Sequence, residues 1–167
     1  MLDDLELQAE GLHLDDRAAE VDELSTAQDA EIELVSRLLA SIGRDVRVST
    51  DGPDVQGRLT DVGADWLRVD HATGGVSYVH LRHVVLIAGL AGGAVPAQAR
   101  PITARLSLRS VLRRMVDERA SCTVHLAGGR MVQGDPGRVG ADFLELDGPG
   151  GRVAVPLLAL AVVQDRS

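Results

Sequence analysis

Val55-Gln56-Gly57-Arg58-Leu59-Thr60-Asp61-Val62-Gly63-Ala64-Asp65-Trp66-Leu67 is the most informative stretch of the chain. It recurs as Val132-Gln133-Gly134-Asp135-Pro136-Gly137-Arg138-Val139-Gly140-Ala141-Asp142-Phe143-Leu144, with Val-Gln-Gly, Val-Gly-Ala-Asp, an aromatic and a leucine at matching places. The likeness continues outward. Asp70 matches Asp147, Gly74-Gly75 matches Gly150-Gly151 after a one-residue loop difference, and Val79-His80-Leu81 aligns with Val155-Pro156-Leu157. So many ordered matches mark an internal repeat, which sets the architecture before any single element is read.

Each repeat reads as a helix followed by short strands. Val35, Leu38, Leu39 and Ile42 fall at i, i+3, i+4, i+7, one face of a helix that Gly43 stops. Leu108, Val111, Leu112 and Met115 repeat that stripe. Period-two alternation then predicts strands near Val46–Thr50, Val55–Val62, Asp65–Asp70, Val76–Leu81 and Val84–Ala88. In the second repeat they fall near Thr123–Ala127, Met131–Val139, Asp142–Asp147, Arg152–Val155 and Leu158–Gln164. Asp51-Gly52-Pro53, Thr73-Gly74-Gly75, Gly128-Gly129 and Gly148-Pro149-Gly150-Gly151 supply the turns. The expected organisation is an acidic helical arm at 1–30, a first repeat at 31–88, an Ala/Gly/Pro linker at 89–103 and a second repeat at 104–167.

Composition narrows the chemistry. The 167 residues are 45% hydrophobic but only 2% aromatic, so aliphatic side chains must build the core. There is no lysine, which excludes a Walker A loop, a Schiff-base enzyme and a kinase-type phosphate lysine. One cysteine, Cys122, excludes an internal disulfide framework and a thiolate zinc cluster; it reads as a small core residue. The net charge of −8 is uneven: residues 1–31 hold eleven acids against Arg17 alone, leaving a mildly basic body. The acidic start lacks the basic head of a signal peptide, and the apolar run Val84 to Val95 is too short for a bilayer. A cytoplasmic protein with no membrane partner is expected. The arm carries two weak heptad sets, Leu5, Leu12, Ala19 and Leu7, Leu14, Val21, broken by Gly11. They fit a docking helix or a partly ordered tail.

A helix followed by five short strands, with glycine midway along the second, resembles the Sm-like fold, a bent five-stranded barrel of the SH3-like type. Gly57-x-Leu59-x-x-Val62-x-x-Asp65-x-Leu67-x-Val69 looks like the first Sm motif, and Val76 to Ile87 stands where the second would. The tandem arrangement is similar to an uncharacterised actinobacterial family whose members are sometimes labelled Fis-type regulators, although no helix-turn-helix is visible. The resemblance implies two tandem barrels in a mainly β chain, and rings made by pairing strand edges. It also implies RNA binding, but RNA-binding Sm rings carry an asparagine in the first motif and Arg-Gly in the second. This chain has no asparagine, and has His80-Leu81-Arg82-His83 and Pro156-Leu157-Leu158-Ala159 at the second motif.

Candidate sites follow. Arg105, Arg109 and Arg113, spaced by four with Arg114 beside them, form a row on the second helix that could track phosphates, face solvent, or lie masked beneath the acidic arm. If Leu67 and Val69 point inward, Trp66 and Arg68 point outward, where the aromatic could stack a base or pack on a helix or subunit. Phe143 shares that position. His80, Arg82 and His83 could bind an anion or respond to pH; His80 and His83 sit on opposite faces of a regular strand, which argues against a metal. Asp65 and Asp142 read as turn caps. The expected protein is a non-enzymatic assembly module with no cofactor, metal or small-molecule substrate. It is expected to form homo-oligomers, such as a ring of three tandem chains, and to bind protein partners or RNA.

Overall fold

The computed structural model describes residues 33–166. The chain divides at Glu33, and every element below belongs to the unit that begins at Leu34. The expected arm at 1–30 lies outside the described residues. The rest is a mainly β protein: two α-helices and one antiparallel sheet of ten strands.

The first half comprises α1 (Leu34–Ala40), β1 (Asp45–Thr50), β2 (Val55–Val62), β3 (Trp66–Asp70), β4 (Val76–His80) and β5 (Val84–Ala88). The second half repeats the order with α2 (Leu108–Glu118), β6 (Cys122–Leu126), β7 (Met131–Val139), β8 (Phe143–Gly148), β9 (Gly151–Pro156) and β10 (Leu160–Asp165). Between them run two 3-10 turns, Ala97–Ala99 and Ile102–Arg105. The helices stop for one reason in two forms. Gly43 adopts a left-handed φ of 89° after α1, and Arg119 takes the same region at 53° after α2. The α2 stripe is as expected, with Leu108, Val111, Leu112 and Met115 all buried. The α1 stripe is shorter than expected: the helix ends at Ala40, so Ile42 lies past it and is exposed.

Both second strands bend at the same place. The β2–β3 register slips between Leu59 and Asp61, and the β7–β8 register slips between Pro136 and Arg138. Just before each slip stands a glycine whose missing side chain matters. A Cβ on Gly57 would overlap the Asp70 carbonyl oxygen, and one on Gly134 would sit 2.7 Å from that of Asp147. Only glycine lets the third strand close so tightly on the bent second one.

The strand order β5-β1-β2-β3-β4-β10-β6-β7-β8-β9 joins the halves edge to edge. Along the seam Val162 faces Val79, Val163 faces Tyr78, Gln164 faces Ser77 and Asp165 faces Val76. The cores interleave across it. Trp66 and Tyr78 of the first half belong to the cluster around α2, while Ala161 and Val162 of the second half belong to the cluster around α1. Among the described residues the sheet ends on two strands with one neighbour each, β5 and β9.

Candidate functional site: the seam and its two open counterparts

Of the residues singled out from the sequence, the seam gathers Asp65, Trp66, His80, His83 and Arg109. Leu106-Ser107-Leu108 leads into α2, and the Gly63–Trp66 turn of the first half grips it. The Leu106 carbonyl accepts from the Ala64 N–H and from the Trp66 indole Nε1–H, each at 2.9 Å. The Leu108 N–H donates to Asp65 Oδ1 at 2.7 Å. Ser107 holds the N-cap position but makes no capping bond with its own side chain. Asp65 satisfies the orphan donor instead, and its charge sits at the positive end of the helix dipole. A cavity of about 240 Å³ opens beside this grip, lined by Asp65, His80, Ser107, Leu108, Arg109, Ala141 and Leu157.

Two expectations are decided here. Of its two readings Trp66 takes the second: it does not face solvent to stack a base but is 1% exposed and packs with α2, its ring meeting that of Tyr78 edge-on at 5.7 Å. Strand alternation fails to predict this because β3 is covered on both faces at this point, by the core of the first half and by α2. Arg105 does not join a row on the second helix. It lies in the 3-10 turn before Leu106, because Ser107 is extended and starts the helix only at Leu108. Arg109 is half-buried and reaches the Ala141 carbonyl at 3.3 Å, which leaves Arg113 and Arg114 exposed on α2. Arg68 is drawn to Asp70, Nε to Oδ1 at 2.8 Å. Arg82 is exposed. Asp65 caps a helix of the other half rather than its own turn, and its counterpart Asp142 is exposed.

The histidines also differ from the regular-strand reading. A 3-10 turn at Leu81–His83 follows β4 and swings the two rings together, 5.5 Å between centroids. Both tie the halves. His80 Nδ1 lies 3.1 Å from the Leu160 carbonyl, and burial holds its basicity below the usual imidazole value despite that bond and the nearby Asp65. His83 is buried, with Nδ1 2.9 Å from Asp51 Oδ2 and Nε2 2.8 Å from the Leu158 carbonyl. Among the described residues no group of three His, Cys, Asp or Glu is placed to hold a metal ion. No helix there is long and apolar enough to cross a membrane.

Cys122 is buried at the start of β6, in step with Val124, and burial pushes its thiol up to about 11. The sign follows from the protonation states. Between 9.0, the ordinary value, and about 11 the native thiol keeps a proton that the unfolded chain releases, so its contribution to stability falls as pH rises through that window. Iodoacetamide at pH 8.5 should therefore modify the native protein at least ~100-fold more slowly than the urea-unfolded protein, as read by mass spectrometry. Equal rates would mean that the thiol is accessible.

The repeat makes the seam a template for comparing the open edges. In the register shared by β5 and β10, Val85 and Leu86 stand where Ala161 and Val162 stand; the first two are 72% and 62% exposed, the second two 0%. On the other edge, exposed Val153 and Ala154 stand where buried Ser77 and Tyr78 stand. Sequence reasoning missed Val85, Leu86 and Val153 as functional candidates. The signal was there, as apolar residues at edge-strand positions, but it needed the strand order to be seen.

No curated protein matches the chain. Residues 34–88, which are α1 through β5, match the family described as a domain of unknown function (DUF2642).

Proposed function

We propose that the chain is a non-catalytic tandem Sm-like module that self-associates head to tail, β9 of one copy pairing with β5 of the next, and so forms a scaffold for protein partners. One observation carries this reading: the same strand positions are covered at the β4·β10 seam and bare at the two ends of the sheet. Moving the seam register onto the open edges sets Leu86 opposite Val155, Ile87 opposite Ala154 and Ala88 opposite Val153. Pro156, which has no N–H to donate, falls just past that pairing, as His80 falls past the pairing in the seam.

An exposed apolar edge strand carries unpaired backbone donors and acceptors, and a second strand satisfies both needs at once. Because donor and acceptor edges differ, the contact is heterologous and closes into a ring when the rotation permits. Two repeats per chain make three copies the natural closure for a six-barrel ring. RNA binding has less support, since the arginine row reduces to Arg113 and Arg114.

Light scattering on the full chain tests the proposal. The expected mass is a multiple of 17.7 kDa, three copies for a closed ring. Leu86→Arg should reduce it to that of one chain with the fold retained, because Leu86 touches solvent in the single copy. A wild-type mass of one chain at every concentration would overturn the reading.

A further inference from the structure

The cavity of about 240 Å³ at the entrance to α2 plays no part in the pairing of strands. Asp65 and His80 line it from the first half, and Ser107, Leu108, Arg109 and Leu157 from the second. Its two full charges are opposite and do not meet. Asp65 and Arg109 share this small space, yet no ion pair among the described residues joins them. Asp65 Oδ1 takes the Leu108 N–H at 2.7 Å, and Arg109 reaches the Ala141 carbonyl at 3.3 Å. That one bond leaves most of the guanidinium N–H groups uncommitted.

The carboxylate end of the cavity is short of a donor. The Leu160 carbonyl, 3.1 Å from His80 Nδ1, can only accept, so Nδ1 carries the ring proton and Nε2 of the neutral imidazole is an acceptor. Burial favours that neutral ring by lowering its basicity. Nε2 stands 4.0 Å from Asp65 Oδ2, so two acceptors confront each other with no donor between them among the described residues. Ser107 makes no capping bond, which leaves its hydroxyl to a ligand.

We infer that this cavity binds a small zwitterion of the α-amino-acid class, with its ammonium between Asp65 and His80 and its carboxylate on Arg109. An ammonium brings three donors to two acceptors and a hydroxyl, and the Asp65 charge matches its own. A guanidinium takes a carboxylate through paired N–H groups. Leu108 and Leu157 supply an apolar wall for a short aliphatic side chain. A plain anion would meet the Asp65 carboxylate, and a plain cation would meet Arg109. Only a ligand carrying both charges is opposed by neither. Because the contacts come from both halves, the ligand ties them together across the seam. This site goes beyond the assembly reading and does not depend on it.

Isothermal titration calorimetry of the full chain tests the inference with L-alanine and with propionate and ethylamine, which each keep one of its two ends. L-alanine should bind with about millimolar affinity, and the other two at least about tenfold more weakly. Arg109→Gln leaves the Asp65 cap in place and should weaken L-alanine binding about tenfold or more. Asp65→Asn keeps an acceptor for the Leu108 N–H but loses the charge, and should weaken it as much. Circular dichroism checks that each variant is folded, and Arg113→Gln, at an exposed position of the same helix, should bind as the wild type does. Propionate or ethylamine binding as tightly as L-alanine would make this a site for a simple ion and overturn the assignment. So would full affinity in both site variants, or no heat and no rise in the thermal midpoint at about 50 mM L-alanine.

Discussion

Trp66→Ala should destabilise the protein by about 3–5 kcal/mol, while Phe143→Ala, the same position in the repeat, should cost about 1–2 kcal/mol in dilute solution. The asymmetry follows from cover rather than from side-chain type. Trp66 is enclosed between the halves among Leu108, Val111, Leu112 and Met115, so its removal leaves a cavity that surrounding strands and helix cannot close. It also takes from the Leu106 carbonyl one of its two donors, leaving only the Ala64 N–H. Phe143 is already partly wet and makes no such bond. Urea unfolding followed by circular dichroism measures both, with the midpoint reporting stability and the slope testing whether the halves still unfold as one unit. Equal losses at the two positions would mean that the halves do not share a core. A lower slope for Trp66→Ala alone would show that the residue couples them.

Gly57→Ala should destabilise by about 3 kcal/mol, at the upper end of what one extra methyl costs in a packed site. The added Cβ meets a backbone oxygen of Asp70, and lies 2.9 Å from Val69 Cγ1. Backbone cannot move aside as a flexible side chain can, and here it is fixed by the pairing of Arg58 with Asp70. Gly134→Ala should cost somewhat less, because the corresponding distance is 2.7 Å. Gly92→Ala serves as the control, since nothing lies within 4 Å of its Cβ. Its change should stay within about 0.5 kcal/mol of zero or stabilise slightly, through the unfolded chain. Thermal unfolding of the three variants side by side is the measurement. A Gly57→Ala protein as stable as Gly92→Ala would show that the bend in β2 relaxes without penalty.

Much of the local structure was legible in the residues. The strands at Val55–Val62, Val84–Ala88 and Met131–Val139 have the bounds that alternation and turn glycines predict, and the others differ by one or two residues at an end. The reason is that strand period and turn chemistry are local properties, carried by side chains within a few positions of one another. The α2 stripe was legible for the same reason. Ile42 was misplaced because its spacing fits the helix but Gly43 makes the chain leave it early, and the last apolar residue falls outside.

The candidate site was legible in its members but not in its geometry. Asp65, His80 and Arg109 come from separate stretches of the chain, and nothing in their spacing says that they line one cavity. Period two turned Trp66 away from the first half's core but left open what it meets there, which is α2. Spacing by four placed Arg105 on a helix that Ser107 delays. By itself, then, the sequence determined the repeat, the elements and the glycines at the bends, since each depends on neighbours in the chain. Only the tertiary structure decided that β4 pairs with β10, that the two cores interleave and that Val85, Leu86, Asp142 and Phe143 are left bare. Those outcomes depend on which edge meets which, and two repeats with the same strand order offer equivalent edges to either choice until the chain is folded.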